Sequence, residues 1–318
     1  MADSLSAIYG ARSYMQRSED PKYGEKLVQE YLDIINTPIG GTSDNFRLPQ
    51  NKNKNRSLEY PCWDISRVVL KSYHDSDYIN ASYVRGYDFS CKFIATQEPM
   101  TTTFDDFWSM VWQENSRVIV MLNGTKSETP SVQYFPSNQD HIILKEFIIK
   151  TESIRMKPQY IGTKLTVIHK QTGDSRTMHH FKYLEWLENA IPDPQLFLEF
   201  LLAVNTQEQQ YLVEAMQANQ SLPGPIVVHS DLGIGRTAAY CVIDMCLYHL
   251  VHTASVSVPM TVLKVRQQRN FSIQTPIHYF FINNILLYFL ATIKTDKTMY
   301  LQFRLHFTKK DLHLLSLN

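Results

Sequence analysis

Between Val227 and Ala238 the chain reads Val227-Val228-His229-Ser230-Asp231-Leu232-Gly233-Ile234-Gly235-Arg236-Thr237-Ala238, residue types suited to holding an anion. Gly233 and Gly235 let backbone N–H groups approach a ligand closely, and Arg236 can lay a bidentate fork on two phosphate oxygens. Ser230 offers a hydroxyl whose pKa is far too high for such a field to ionise it. His229 is no base for that hydroxyl, because it precedes it on a strand and points to the opposite face. The chemistry on offer is recognition of a phosphoryl group rather than attack on it.

Such a loop needs a strand before it and a helix after it. Pro225 to His229 form a short apolar, β-branched run that predicts a buried strand. From Arg236 onward, Ala239, Val242, Ile243, Cys246, Leu247 and Leu250 recur at helical spacing, so a helix starts near Gly235. Strand, tight glycine loop and helix N-terminus together make converging N–H groups and a favourable dipole. Elsewhere Lys26 to Ile35 predict an amphipathic helix, and a central mixed sheet runs from Arg67 through His180. Leu196, Phe197, Phe200, Leu201 and Val204 mark a helix packed on that sheet, and two more helices begin near Met260 and Pro276. The predicted class is α/β, a twisted mixed β-sheet flanked by helices.

Seven blocks then fall in a recognisable order. The loop resembles the phosphate-binding loop of the protein tyrosine phosphatases, H-C-x5-R-S/T, with Ser230 where that family places its nucleophilic cysteine. Lys54-Asn55-Arg56-Ser57-Leu58-Glu59, followed by Asp64 to Val68, resembles the phosphotyrosine-recognition loop and its strand. Asp77-Tyr78-Ile79-Asn80-Ala81-Ser82 matches D-Y-I-N-A-S, and Phe93 to Pro99 matches Y-I-A-T-Q-G-P. Asp106 to Trp112 matches D-F-W-x-M-V-W, with Val118 to Leu122 as the following strand. Gln267-Gln268-Arg269 and Ile273-Gln274-Thr275 resemble the R-x-Q-R and V-Q-T segment that orders water in the second catalytic step. In active members the loop's field makes the cysteine a thiolate nucleophile.

The departures from the family pattern gather around one pocket. Ser57 sits where an aromatic ring stacks on phosphotyrosine, a contact worth on the order of 1 kcal/mol, and reads as an ordinary loop serine. Glu59 stands where an aspartate grips the substrate backbone. Asp231 and Leu232 replace two small residues, bringing a negative charge and bulk to a site meant for an aryl dianion. Trp186-Leu187-Glu188 replaces W-P-D: Leu187 lacks the fixed angle of proline, and Glu188 reaches one methylene further than the general acid. A general acid contributes roughly 10²- to 10⁴-fold only where a nucleophile attacks, so Glu188 reads as a surface carboxylate. The lysine that would pair with this acid has no clear counterpart in Gly124 to Gln133, where the loop is shorter, and His278 takes the place of a second glutamine.

The 318 residues are 44% apolar, enough for a full α/β core, and 31 basic residues balance 31 acidic ones. No global field favours nucleic acid or an anionic membrane. Cys62, Cys91, Cys241 and Cys246 show no zinc spacing, so neither metal nor cofactor is expected. Met1-Ala2-Asp3-Ser4 lacks the apolar core of a signal peptide, which leads to an expectation of a cytoplasmic protein. The apolar helix Tyr279 to Ile293, carrying Asn283-Asn284, is expected to be shorter than a membrane span and to lie in the core. Residues 1–24 are expected to be a flexible segment, 25–293 the phosphatase-like domain, and 294–318 an extension. The alternation in Tyr300 to Phe307 suggests a strand or partner segment.

Residues 34–42, Ile-Ile-Asn-Thr-Pro-Ile-Gly-Gly-Thr, with Lys54-Asn55-Arg56 and the Trp-Leu-Glu loop, resemble the tyrosine phosphatase-like proteins of bracoviruses, which parasitoid wasps carry. That family holds active and cysteine-less members, expressed in parasitised insects and implicated in suppressing host immunity. The resemblance implies a pseudophosphatase that binds phosphotyrosine proteins of a host cell. A scaffold with a vestigial pocket is the alternative, and a working phosphatase using Ser230 or Glu188 the remote one.

Overall fold

The computed structural model describes residues 5–71, 76–87, 90–124, 132–138, 140–186 and 191–315. Strand β1 (Tyr9–Gly10) leads into helices α1 (Ala11–Arg17), α2 (Tyr23–Asn36) and the single turn α3 (Asp44–Arg47). Then come β2 (Arg67–Val69), β3 (Tyr78–Arg85), β4 (Cys91–Gln97), α4 (Phe104–Gln113) and β5 (Val118–Met121). Strands β6 (His141–Ile143), β7 (Phe147–Met156), β8 (Tyr160–His169) and β9 (Ser175–Tyr183) follow, then α5 (Pro194–Gln217) and β10 (Ile226–Ser230). The chain continues through α6 (Arg236–Thr253), β11 (Ser255–Val256), α7 (Val258–Gln268), α8 (Pro276–Thr295) and α9 (Thr298–Leu315).

Among the described residues nine strands form one mixed sheet in the order β2-β3-β4-β10-β5-β9-β8-β7-β6. Strand β10 is parallel to both its neighbours, β4 and β5, and β5 is parallel to β9; the outer pairs are antiparallel. A central parallel strand is covered on both faces, so it is apolar throughout. Ile226 and Val228 enter the core on the side of α5, α6 and α8, while Val227 enters the core on the side of α4. Helix α6 is buried on every side from Thr237 to Leu247, which explains its all-round apolar sequence.

Three expectations are corrected. The segment expected to be flexible is tied down over residues 9–17: β1 pairs with β11, and the buried Tyr14 hydroxyl donates to Asn283 Oδ1 at 2.6 Å. The tail is helical from Thr298 rather than a strand, because Phe303, His306 and Phe307, three and four apart, form one buried face. Helix α8 runs 20 residues and is long and apolar enough, by length and composition alone, to cross a membrane. Its Tyr279, Ile282, Ile285, Leu286 and Phe289 are nevertheless buried in the core, and Asn283 Nδ2 donates to the Tyr279 carbonyl.

Candidate phosphate-binding site

Strand β10 ends at Ser230 and helix α6 begins at Arg236, so residues 231–235 make the entire turn. The alternation of the strand sends Ser230 and His229 to opposite faces. His229 lies beside Phe107, and its Nε2 is 2.6 Å from the Tyr134 hydroxyl, which also meets His180 Nε2 at 2.7 Å. Burial, then the charge of Arg56, push His229 down to about 3, so it is neutral near pH 7. Ser230 is buried, and its Oγ is 2.8 Å from Thr237 Oγ1, a second neutral hydroxyl.

The turn is held from behind. Arg269, 2% exposed, donates from Nη2 to the Leu232 carbonyl at 3.2 Å and from Nε to the Gly233 carbonyl at 3.3 Å. The N–H of Ile273 donates to the Ile234 carbonyl at 2.8 Å. No peptide bond here is cis. Each planar trans unit therefore presents the next N–H, those of Gly233, Ile234 and Gly235, on the side away from Arg269 and Ile273. Three adjacent N–H groups on one side make an anion nest, extended by the uncapped N-terminus of α6, whose first turn has no acidic residue. Gly233 has φ +69°, and a β-carbon there would lie 2.2 Å from the Thr96 carbonyl oxygen. Ile273 also lies in the left-handed region, at φ 57°, a strained setting for a β-branched residue. Arg236 Nη1 donates to the Leu122 carbonyl at 3.1 Å, which sets the guanidinium alongside the turn.

The other residues singled out in the sequence surround this nest unevenly. Asp231 gives its N–H to Asn123 Oδ1 at 3.0 Å, and its Oδ1 lies 3.5 Å from Arg56 Nη1. Arg56 Nη2 lies 3.4 Å from Glu98 Oε2, so one guanidinium joins two carboxylates. Asp231 is thus compensated by a cation, not only by solvent. The recognition loop is fixed by Gln97, the register partner of Ser230: Gln97 Oε1 accepts from Arg56 N–H at 3.0 Å, and its Nε2 donates to the Lys54 carbonyl at 2.9 Å. Ser57 Oγ accepts from the Glu59 N–H at 3.2 Å, the local turn of an ordinary loop serine, and Glu59 is exposed. Leu232 is half-buried, and Gln274 is exposed, its carbonyl accepting from Tyr31 at 2.7 Å. Trp186 is buried against Phe281 and Phe197. Leu187 and Glu188 lie outside the described residues.

Sequence reading passed over Asn123, Glu98 and the bridging part of Arg56. Glu98 carried a signal, since it puts a charge where the Y-I-A-T-Q-G-P pattern has glycine.

This arrangement, a parallel strand, a five-residue turn and an arginine opening a buried helix, sits within a match to the family model "Protein-tyrosine phosphatase" over residues 51–288. The chain belongs to the protein-tyrosine phosphatase family. It is 38% identical over 274 residues to "Probable tyrosine phosphatase protein N1" of Microplitis demolitor bracovirus, covering 83% of this chain and 85% of that one. With "Tyrosine phosphatase H3" of the same virus it shares 34% over 317 residues, 92% of this chain and 98% of the relative. Human "Tyrosine-protein phosphatase non-receptor type 9" is 36% identical over 272 residues, 83% of this chain but 46% of its own length. The bracovirus likeness expected from the N-terminal blocks is thereby found.

Proposed function

We propose that this chain is a pseudophosphatase that binds phosphotyrosine without hydrolysing it. The observation that carries the reading is the outward anchoring of three successive carbonyls by Arg269 and Ile273, which turns three N–H groups toward an anion whatever residue stands at 230. Ser230 stands at the nucleophile position of the family motif with the neutral Thr237 hydroxyl beside it, and His229 faces away from it on the strand. The bracovirus relatives favour a setting in the cytoplasm of a host cell, where shielding phosphotyrosine proteins would interfere with signalling or immune responses. Ser230, Asp231, Leu232, Gly233, Ile234, Gly235 and Arg236 would line the phosphate site, with Ser57, Glu59, Trp186 and Gln274 around it.

Titration with a phosphotyrosyl peptide tests this. Binding should weaken at least about tenfold in Arg236→Ala, the scale of one lost charge-assisted hydrogen bond. No binding, or binding indifferent to Arg236→Ala, would favour the scaffold reading, which the Arg56–Asp231 pair at the mouth of the turn also supports. Turnover abolished by Ser230→Ala would instead make it a hydrolase.

A further inference from the structure

His278, in the first turn of α8, replaces a glutamine of the family motif and has no task in the binding scheme so far. Its ring lies against the nest: the imidazole Cε1 is 2.6 Å from where a β-carbon on Gly235 would stand, with both ring nitrogens 3.2 Å from that point. Nδ1 is 2.7 Å from Thr275 Oγ1, and the Trp186 ring centroid lies 6.1 Å from that of His278. Arg236 is the charged group acting on this ring, from the first residue of α6. Burial and then Arg236 hold the imidazole down to about 4, so it is neutral in the empty site.

We propose that His278 is a second, proton-carrying contact for the phosphoryl group. A phosphotyrosine dianion seated in the nest places two negative charges beside the ring, outweighs both the burial of the ring and the single positive charge of Arg236, and draws a proton from solvent onto the imidazole. The site would thus bind its ligand as dianion plus proton, and His278 would favour phosphoryl dianions over singly charged sulfate esters. This inference rests on the reading that the nest binds phosphotyrosine.

The sign follows from linkage. Binding that raises the His278 pKa is tightened as pH falls through the bound-state value, down to the free-state value of about 4. The ligand's own second ionisation near pH 6 acts the other way, so the comparison is with His278→Gln, which carries the family residue. If the bound value is about 6, affinity relative to the variant should rise about fourfold between pH 7.5 and pH 5.5. Histidine labelled with carbon-13 gives a second readout in the unmutated chain. The His278 Cε1 resonance, assigned by its loss in the variant, should show no titration above pH 5 when free and a midpoint above pH 5.5 with saturating phosphotyrosyl peptide. Peptide that binds while both the resonance and the affinity ratio stay unmoved overturns this inference alone. Peptide that fails to bind at any pH overturns the phosphotyrosine reading and this inference with it.

Discussion

At the mouth of the nest the charge is divided among three side chains, with Arg56 between Asp231 and Glu98. A phosphoryl dianion feels Asp231 as repulsion and must share Arg56 with it. Asp231→Ser should therefore tighten phosphotyrosyl peptide binding by about two- to fivefold, the scale of one partly screened charge at this range. The gain should shrink as salt is raised, and a titration at two ionic strengths would show it; unchanged affinity at low salt would mean that the carboxylate is not felt at the site. Gly233 is constrained more tightly still, by its φ of +69° and the Thr96 carbonyl 2.2 Å from any β-carbon. Gly233→Ala should cost about 2 kcal/mol or more in urea unfolding and remove peptide binding, whereas Leu232→Ala should leave stability nearly unchanged. Much of this was legible in advance: glycine, arginine and serine at fixed offsets state the chemistry of the turn. The Arg56 bridge was not, because its three residues are separated in turn by 42 and 133 positions and meet only through the β4–β10 register.

At the scale of elements, strand and helix periodicity located most of what the site needs. The strand before the nest, the helix after it and the helix of Phe197 and Phe200 are where apolar spacing put them. Spacing misread the tail, for a physical reason. Leu301, Phe303, Leu305 and Phe307 alternate as a strand would, yet Leu301 and Leu305 are 55% and 58% exposed while Phe303 and Phe307 are fully buried. Only three-dimensional partners distinguish the two patterns. Here they are α6 and α8, through Tyr248 at 5.0 Å from the Phe307 ring and Phe289 at 5.7 Å from that of Phe303. Phe303→Ala should accordingly cost about 3–5 kcal/mol, and Leu305→Ala less than about 0.5 kcal/mol, read from urea midpoints. Equal small effects would show that α9 does not belong to the core.

Across the whole molecule, buried histidines make stability depend on pH. His229 has its pKa pushed down to about 3 in the fold, against an ordinary value near 6.5, so the unfolded chain binds the extra proton first. Its contribution is complete above the unfolded value and is lost as pH falls toward the folded one. Between pH 7 and pH 5 that loss is about 2 kcal/mol, and His180, buried beside the same tyrosine, adds to it in the same direction. Urea midpoints at the two pH values should separate the unmutated chain from His229→Asn, whose stability should vary less with pH; parallel curves would rule out the buried imidazole as the cause. One last feature bears on how the chain is made. The Tyr14–Asn283 hydrogen bond joins positions 269 residues apart, and Phe307 fills the same core as Tyr14. Closure of that core must wait until residue 307 has left the ribosome, in a chain made at about 5–20 residues per second. Until then helix α8, apolar enough to pass for a membrane segment, has α5 and α6 to rest on but lacks the cover of Phe303. A growing chain of this kind therefore makes its most apolar described helix about a second before the phenylalanines that finish its cover.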